Sequence, residues 1–153
     1  MSHGLAPDEC QYDLAFMLPA GAETVVTTLR GTLLHLTSSP AVYRKAKNEI
    51  KNAIKSGLIS DPVTSDEAKN LEYMQAIVRE GLRLMVPLTF GFPKRVPPAG
   101  DTICGVFVPG GTDVYTNFRG LMRNKEVFGE DVDVFRPERF LGGDLDITRS
   151  QLP

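Results

Sequence analysis

Three short groups of residues combine types and spacings that could do chemistry. In Ala20-Gly21-Ala22-Glu23-Thr24, small side chains would let a flat ligand approach the backbone, and an adjacent carboxylate and hydroxyl could pass it protons. The same residues would serve equally well at a close helix crossing, with Glu23 and Thr24 left in solvent. In Glu80-Gly81-Leu82-Arg83, the spacing puts a carboxylate and a guanidinium on one helical face, where a bidentate pair can form. On a helix surface such a pair contributes under about 1 kcal/mol. In Phe135-Arg136-Pro137-Glu138-Arg139-Phe140, charged and aromatic residues alternate around a proline. That composition suits a docked loop whose Arg reaches a buried acceptor while its Phe side chains pack.

The elements that must position these groups read as mainly α with a small β section. Over residues 8–36, Leu14, Met17, Leu18, Ala22, Val25, Leu29 and Leu33 keep a helical spacing, which predicts a long helix facing a core. Pro19 requires that helix either to kink or to begin there, because proline lacks the backbone donor and crowds the carbonyl four residues back. A second helix over residues 40–56 has Ser39 as cap, Pro40 in its first turn, a stripe of Val42, Ala46, Ile50 and Ile54, and Gly57 as stop. Its opposite face, with Arg44, Lys45, Lys47, Lys51 and Lys55, is solvated. Thr64 and Glu67 have capping-box spacing and open a helix over residues 64–85 that carries Glu80 and Arg83, with Leu71, Met74, Val78 and Leu82 buried.

Beyond Pro87 the pattern changes to a β section over residues 88–118. Strands are expected at 102–104, 106–108 and 113–116, with a turn at Pro109-Gly110-Gly111, forming one small sheet. Residues 119–141 read as an irregular segment anchored by Phe128, Phe135 and Phe140.

Composition narrows the function classes. The chain has 153 residues, 42% of them hydrophobic, enough for one domain with a core. A formal charge of −2 with scattered Lys and Arg offers no footprint for nucleic acid. Cys10 and Cys104 lie far apart, in no arrangement that suggests a zinc site or a disulfide framework, so no metal ligand is assigned. No stretch approaches the roughly 18 apolar residues of a membrane span, and the amino terminus lacks the pattern of a signal.

In this order and spacing the three groups, separated by a β section, resemble the cytochrome P-450 family, and the resemblance covers about residues 6–141. The run from Leu71 to Leu84 looks like the family's K helix, and Asn124-Lys125-Glu126-Val127-Phe128-Gly129-Glu130-Asp131 through Phe140 looks like the meander of filamentous-fungal members. The resemblance implies a haem-dependent monooxygenase fold. Ala20 and Gly21 would then face the oxygen pocket, with Glu23 and Thr24 supporting proton delivery for O–O cleavage. Glu80, Arg83 and Arg139 would form the ion-paired triad that locks the K helix to the meander. Lys94 or Arg95 would hold a haem propionate. Residues 86–92 would line the substrate pocket, where Leu88, Phe90 and Phe92 imply an apolar small molecule. A flavoprotein reductase and secondary metabolism follow at the level of the family.

Some positions depart from the family pattern. Pro19 adds distortion beside the oxygen groove, Met85 and Met122 stand where relatives often have His, and Arg119 stands where Trp is common. The family's iron thiolate comes from a Cys loop shortly after the meander, and neither Cys10 nor Cys104 stands in such a loop. The chain is therefore expected to be a partial, inactive segment whose apolar stripes face water, with a non-catalytic relic or interaction module as the alternative. Full-length relatives are expected at the endoplasmic reticulum membrane, and this chain, without anchor or signal, in the cytoplasm if expressed alone.

Overall fold

The computed structural model describes Gly4 and residues 6–142. The first helix, α1 (Pro7–Thr37), starts with a proline in the turn where a missing N–H costs nothing, and Glu9 Oε2 accepts from the Ala6 amide at 2.8 Å. It does not begin at Pro19, which lies inside it.

The apolar stripe of α1 does not meet a core among the described residues. Leu14, Met17, Leu18, Ala22, Val25, Leu29 and Leu33 are all exposed, whereas Gly31 is buried and Thr28, Thr32, His35 and Leu36 are half-buried. Glycine decides which side packs. α1 crosses α4 (Glu72–Leu84), where a Cβ on Gly31 would lie 2.2 Å from Met85 Cγ and one on Gly81 would lie 2.0 Å from Thr32 Oγ1. Each glycine makes room for a side chain from the other side of the crossing, Gly31 for Met85 and Gly81 for Thr32. Thr32 tolerates the contact because its hydroxyl donates to Thr28 O at 2.8 Å.

Helix α2 (Pro40–Lys55) begins after Ser39, although the Ser39 side chain makes no capping bond. It ends in a Schellman motif: Leu58 N donates to Ala53 O, Gly57 N donates to Ile54 O, and Gly57 takes φ 70°. Val42, Ala46 and Ala53 are buried, while Ile54, expected inside, is exposed.

The helix expected over residues 64–85 is two helices. α3 (Ser65–Lys69) carries the capping box, with Thr64 N donating to Glu67 Oε2 at 2.8 Å and Glu67 N to Thr64 Oγ1 at 3.4 Å. α4 then starts afresh, because the Glu49 carboxylate of α2 takes the amides of Tyr73 (2.8 Å) and Met74 (2.9 Å). In a continuous helix those amides would bond to Lys69 and Asn70. The buried face of α4 is also rotated from expectation: Tyr73, Ala76, Ile77, Glu80, Gly81, Arg83 and Leu84 are inside, and Val78 and Leu82 are exposed. The core side carries a satisfied ion pair beside Tyr73, Ala76, Ile77 and Leu84, while Leu71, expected inside, is buried just ahead of the helix and Met74 packs against the core.

The expected single sheet is two antiparallel ribbons. β1 (Lys94–Arg95), missed in the sequence, pairs with β4 (Asp113–Val114), while β2 (Asp101–Ile103) pairs with β3 (Val106–Val108). Cys104 and Gly105, both at positive φ, close the second ribbon as a two-residue turn. Gly110 passes so close to the 97–98 segment that a Cβ would fall 2.3 Å from Pro98 O.

The remaining segment is more regular than expected. α5 (Phe118–Leu121) and α6 (Lys125–Phe128) are capped by the side chains of Asn117 and Asn124, and a 3-10 turn spans Pro137–Phe140. The core packs Val42, Ala46, Tyr73, Ile77, Leu84 and Phe135 together, with His35 stacked on Phe135 at 5.3 Å. No helix among the described residues is long and apolar enough to cross a membrane.

Candidate functional site

The most buried polar group is Glu80, fully shielded at the inner face of α4. Arg83, one turn on, grips it with two prongs, Nε to Oε2 at 2.7 Å and Nη2 to Oε1 at 2.8 Å. Arg139 from the 3-10 turn adds Nε to Oε1 at 3.0 Å, and the Arg136 backbone N–H donates to the same oxygen at 2.9 Å. Burying such charges in a low-dielectric interior costs several kcal/mol per ion unless every donor and acceptor is satisfied. The rest of the chain satisfies them. Arg83 Nη1 donates to Met122 O at 2.9 Å, while Arg139 donates to Phe128 O at 2.6 Å, Asp131 O at 3.1 Å and Val134 O at 3.2 Å. Those carbonyls lie in residues 119–141, whose backbone forms only single turns, and guanidinium groups supply their donors, shared at Asp131 O with the Val134 amide. Asp131, 3.4 Å from Arg139, supplies the second negative charge but also pairs with the exposed Arg136 at 2.9 Å, so two carboxylates serve three guanidiniums, of which Arg83 and Arg139 are buried. The Phe128 ring lies 5.2 Å from the Arg83 guanidinium carbon.

A second polar cluster lies along the same 3-10 turn. Glu138 Oε1 accepts from the Tyr73 hydroxyl at 2.9 Å and from the Lys45 ammonium at 2.5 Å, joining α2, α4 and the turn. Burial opposes the Glu138 carboxylate, but the bonds from Lys45 and Tyr73 prevail and hold its pKa below the ordinary carboxylate value. Burial, and then the bond to Glu138, push the Tyr73 hydroxyl up. Neither this cluster nor the Glu49 cap was legible in the sequence, because each joins residues far apart in the chain with no local spacing to mark them.

The structure brings Glu80, Arg83 and Arg139 into one cluster, while the other candidate residues stay dispersed. Ala20, Gly21 and Glu23 are exposed on α1, and a Cβ on Gly21 would meet nothing within 4 Å. Thr24 is half-buried and donates to Ala20 O at 3.1 Å, the first of four threonines on α1, with Thr28, Thr32 and Thr37, that each bond one turn back. Arg95 is held by Asp113 in a bidentate cross-strand pair at 2.9 and 3.0 Å, which raises its pKa. Lys94, beside it, is exposed and makes no ion pair among the described residues. Leu88, Phe90 and Phe92 are exposed. Cys10 and Cys104 are exposed free thiols, and the described residues contain no His, Cys, Asp and Glu group suited to a metal.

Comparison with known proteins gives the family context. The cytochrome P-450 family model matches residues 2–151. Over 139 residues the chain is 45% identical to the cytochrome P-450 monooxygenase ABA1 of Pyricularia oryzae and 42% identical to aba1 of Botryotinia fuckeliana. It is 40% identical over 141 residues to the cytochrome P-450 monooxygenase abl1 of Leptosphaeria maculans. These matches take in 90%, 91% and 92% of this chain but only 27%, 27% and 25% of the relatives. The chain thus spans about a quarter of the length of the curated relatives it matches.

Proposed function

The chain belongs to the cytochrome P-450 family, of the fungal type, and from that premise we propose that it is a segment of a haem-dependent monooxygenase acting on an apolar small molecule. The observation that carries this reading is the buried Glu80–Arg83–Arg139 cluster. It consumes the charged groups that tie α4 to residues 119–141, and leaves the α1 centre and Lys94 uncommitted at the surface.

The residues present fit one side of a haem pocket. Lys94 offers a free ammonium for a propionate, whereas Arg95 is already committed to Asp113. A Lys makes that contact as a point charge, without the fork of an Arg. Ala20 and Gly21 leave room for a flat group against α1. When bound, haem supplies the centre at which dioxygen is activated. Thr24 commits its hydroxyl proton to Ala20 O, so its oxygen presents lone pairs and accepts a proton or hydrogen bond until the hydroxyl rotates. Glu23, exposed one position earlier, is the nearest carboxylate in sequence able to replenish it. Leu88, Phe90 and Phe92 supply apolar surface for the substrate. The iron thiolate is assigned to a part of a longer protein, with a flavoprotein reductase as electron donor and the endoplasmic reticulum membrane as its location.

The exposed apolar stripe of α1 favours this reading over a self-sufficient, non-catalytic interaction module. Two measurements test it. The chain reconstituted with haem, reduced and exposed to carbon monoxide should lack the Soret band of a thiolate-ligated haem, and its appearance would place the ligand within this chain. Genomic sequence beyond the Pro153 codon should continue into a Cys loop. An authentic stop with no such loop in any nearby frame would sink the segment reading.

A further inference from the structure

Residues 84–96 and 111–123 run side by side in opposite directions, and their backbone pairing, over 89–96 and 111–119, extends beyond the β1–β4 pair. Lys94 faces Val114 and Arg95 faces Asp113; toward the turn, Val96 N donates to Thr112 O at 2.9 Å and Gly111 N to Val96 O at 3.0 Å. Toward α4, Gly91 N donates to Thr116 O at 2.8 Å, Phe90 bridges Asn117, and Arg119 N reaches Thr89 O at 3.4 Å. Backbone pairing ends there, short of the helix.

Two arginines span the remaining distance by exchanging bonds. Arg83 Nη1 donates to Met122 O at 2.9 Å, and Arg123 Nη2 donates back to Leu84 O at 3.2 Å. Leu84 is the last residue of α4, so its carbonyl has no partner within the helix, and a guanidinium suits both its hydrogen-bonding need and the negative end of the helix dipole. Asp133 holds Arg123 in place from the far side, through Nε at 3.2 Å. Arg123 Nη1 is buried without an acceptor among the described residues, so the side chain is fixed by these two bonds alone.

We propose that Arg123 is a positioning residue that sets the register between the end of α4 and the ribbon presenting Leu88, Phe90, Phe92 and Lys94. This deepens the monooxygenase reading and rests on it for the role of those four residues. The register claim itself is independent of haem. Without Arg123, residues 117–123 would be tied to the end of α4 by the bond from Arg83 to Met122 O alone, and the half of the ribbon next to α4 would open.

Hydrogen exchange of the full chain, resolved by residue, tests this. In R123A, exchange at the Gly91 amide should rise about tenfold, while the Ala53 amide of α2 stays as in the parent chain. R123K, whose ammonium can still reach the Leu84 carbonyl, should recover part of the protection. Unchanged exchange at Gly91 in R123A, an equal rise at Ala53, or no recovery in R123K would overturn the proposal. If R123A does not fold, R123K decides alone: exchange raised at Gly91 but not at Ala53 supports it, and equal exchange at both sites refutes it. No haem enters these measurements, so their failure and that of the spectral test are separable.

Discussion

Glu80 is the residue whose chemistry most constrains the rest, because one carboxylate collects four hydrogen bonds from Arg83, Arg139 and the Arg136 amide. Glu80→Gln keeps the shape and removes the charge, leaving the buried Arg83 and Arg139 with only Asp131, which Arg136 already engages at 2.9 Å, to balance them. It should cost about 3–5 kcal/mol in urea denaturation, the range for breaking one member of a buried pair. Acid acts differently on the exposed carboxylates. Glu67 is held at about 2 against an ordinary 4.5, first by the Thr64 amide and then by the Ser60 hydroxyl. Because its folded pKa is lowered, the capping-box contribution is fully present above about 4.5 and disappears as pH falls through about 2. A carboxyl titration by NMR should find that midpoint, and Ser60→Ala should raise it while leaving it below the ordinary value. Glu138 follows the same sign, its contribution being lost as pH falls below the ordinary carboxylate range.

At the scale of elements, two junctions are exposed to single substitutions. Glu49→Ala removes the only cap on the Tyr73 and Met74 amides among the described residues, and should destabilise the α2–α4 pair by about 1–2 kcal/mol in thermal unfolding. Gly31→Ala forces Met85 aside and should cost about 1–3 kcal/mol. Combined with Met85→Ala, which removes the two nearest atoms, it should cost less than the sum of the single changes, as a double-mutant cycle would measure. These junctions also mark what the sequence made legible. Helix ends were readable where local chemistry punctuates them, at Pro40, Gly57 and the Thr64–Glu67 box. The inner faces of α1 and α4 were not, because periodicity assumes that the apolar stripe alone faces the core, whereas here the crossing glycines and an ion pair share those faces with Tyr73, Ile77 and Leu84. The Lys94–Arg95 strand escaped because two charged residues between Pro93 and Pro97 carry no β-rich signature, although its partner 113–114 lies in a stretch that does. Within the candidate site, the Glu80–Arg83 spacing was visible locally, but Arg139 joined it only through the family pattern. Arg123, Glu49 and the Lys45–Tyr73–Glu138 cluster depend on contacts that no local spacing announces.

For the molecule as a whole, the chain spans about a quarter of its relatives' length, and Leu14, Met17, Leu18, Val25, Leu29 and Leu33 present a continuous apolar face along α1. Replacing Leu18, Val25 and Leu29 together by Gln should lower light scattering of the isolated chain without lowering its unfolding temperature, since none of the three touches the packed core. A drop in that temperature would mean the face is engaged in the folded chain. The buried ion cluster has a further consequence, in time instead of space. Glu80 and Arg139 are 59 positions apart, so at about 5–20 residues per second the ribosome delivers the second about 3–12 s after the first. During that interval the inner face of α4 holds Glu80 and Arg83 without the carbonyls and guanidinium that later enclose them. Until residues 119–141 emerge that pair keeps its charges in water, so slower translation between the two residues lengthens the time α4 spends without the segment that encloses it.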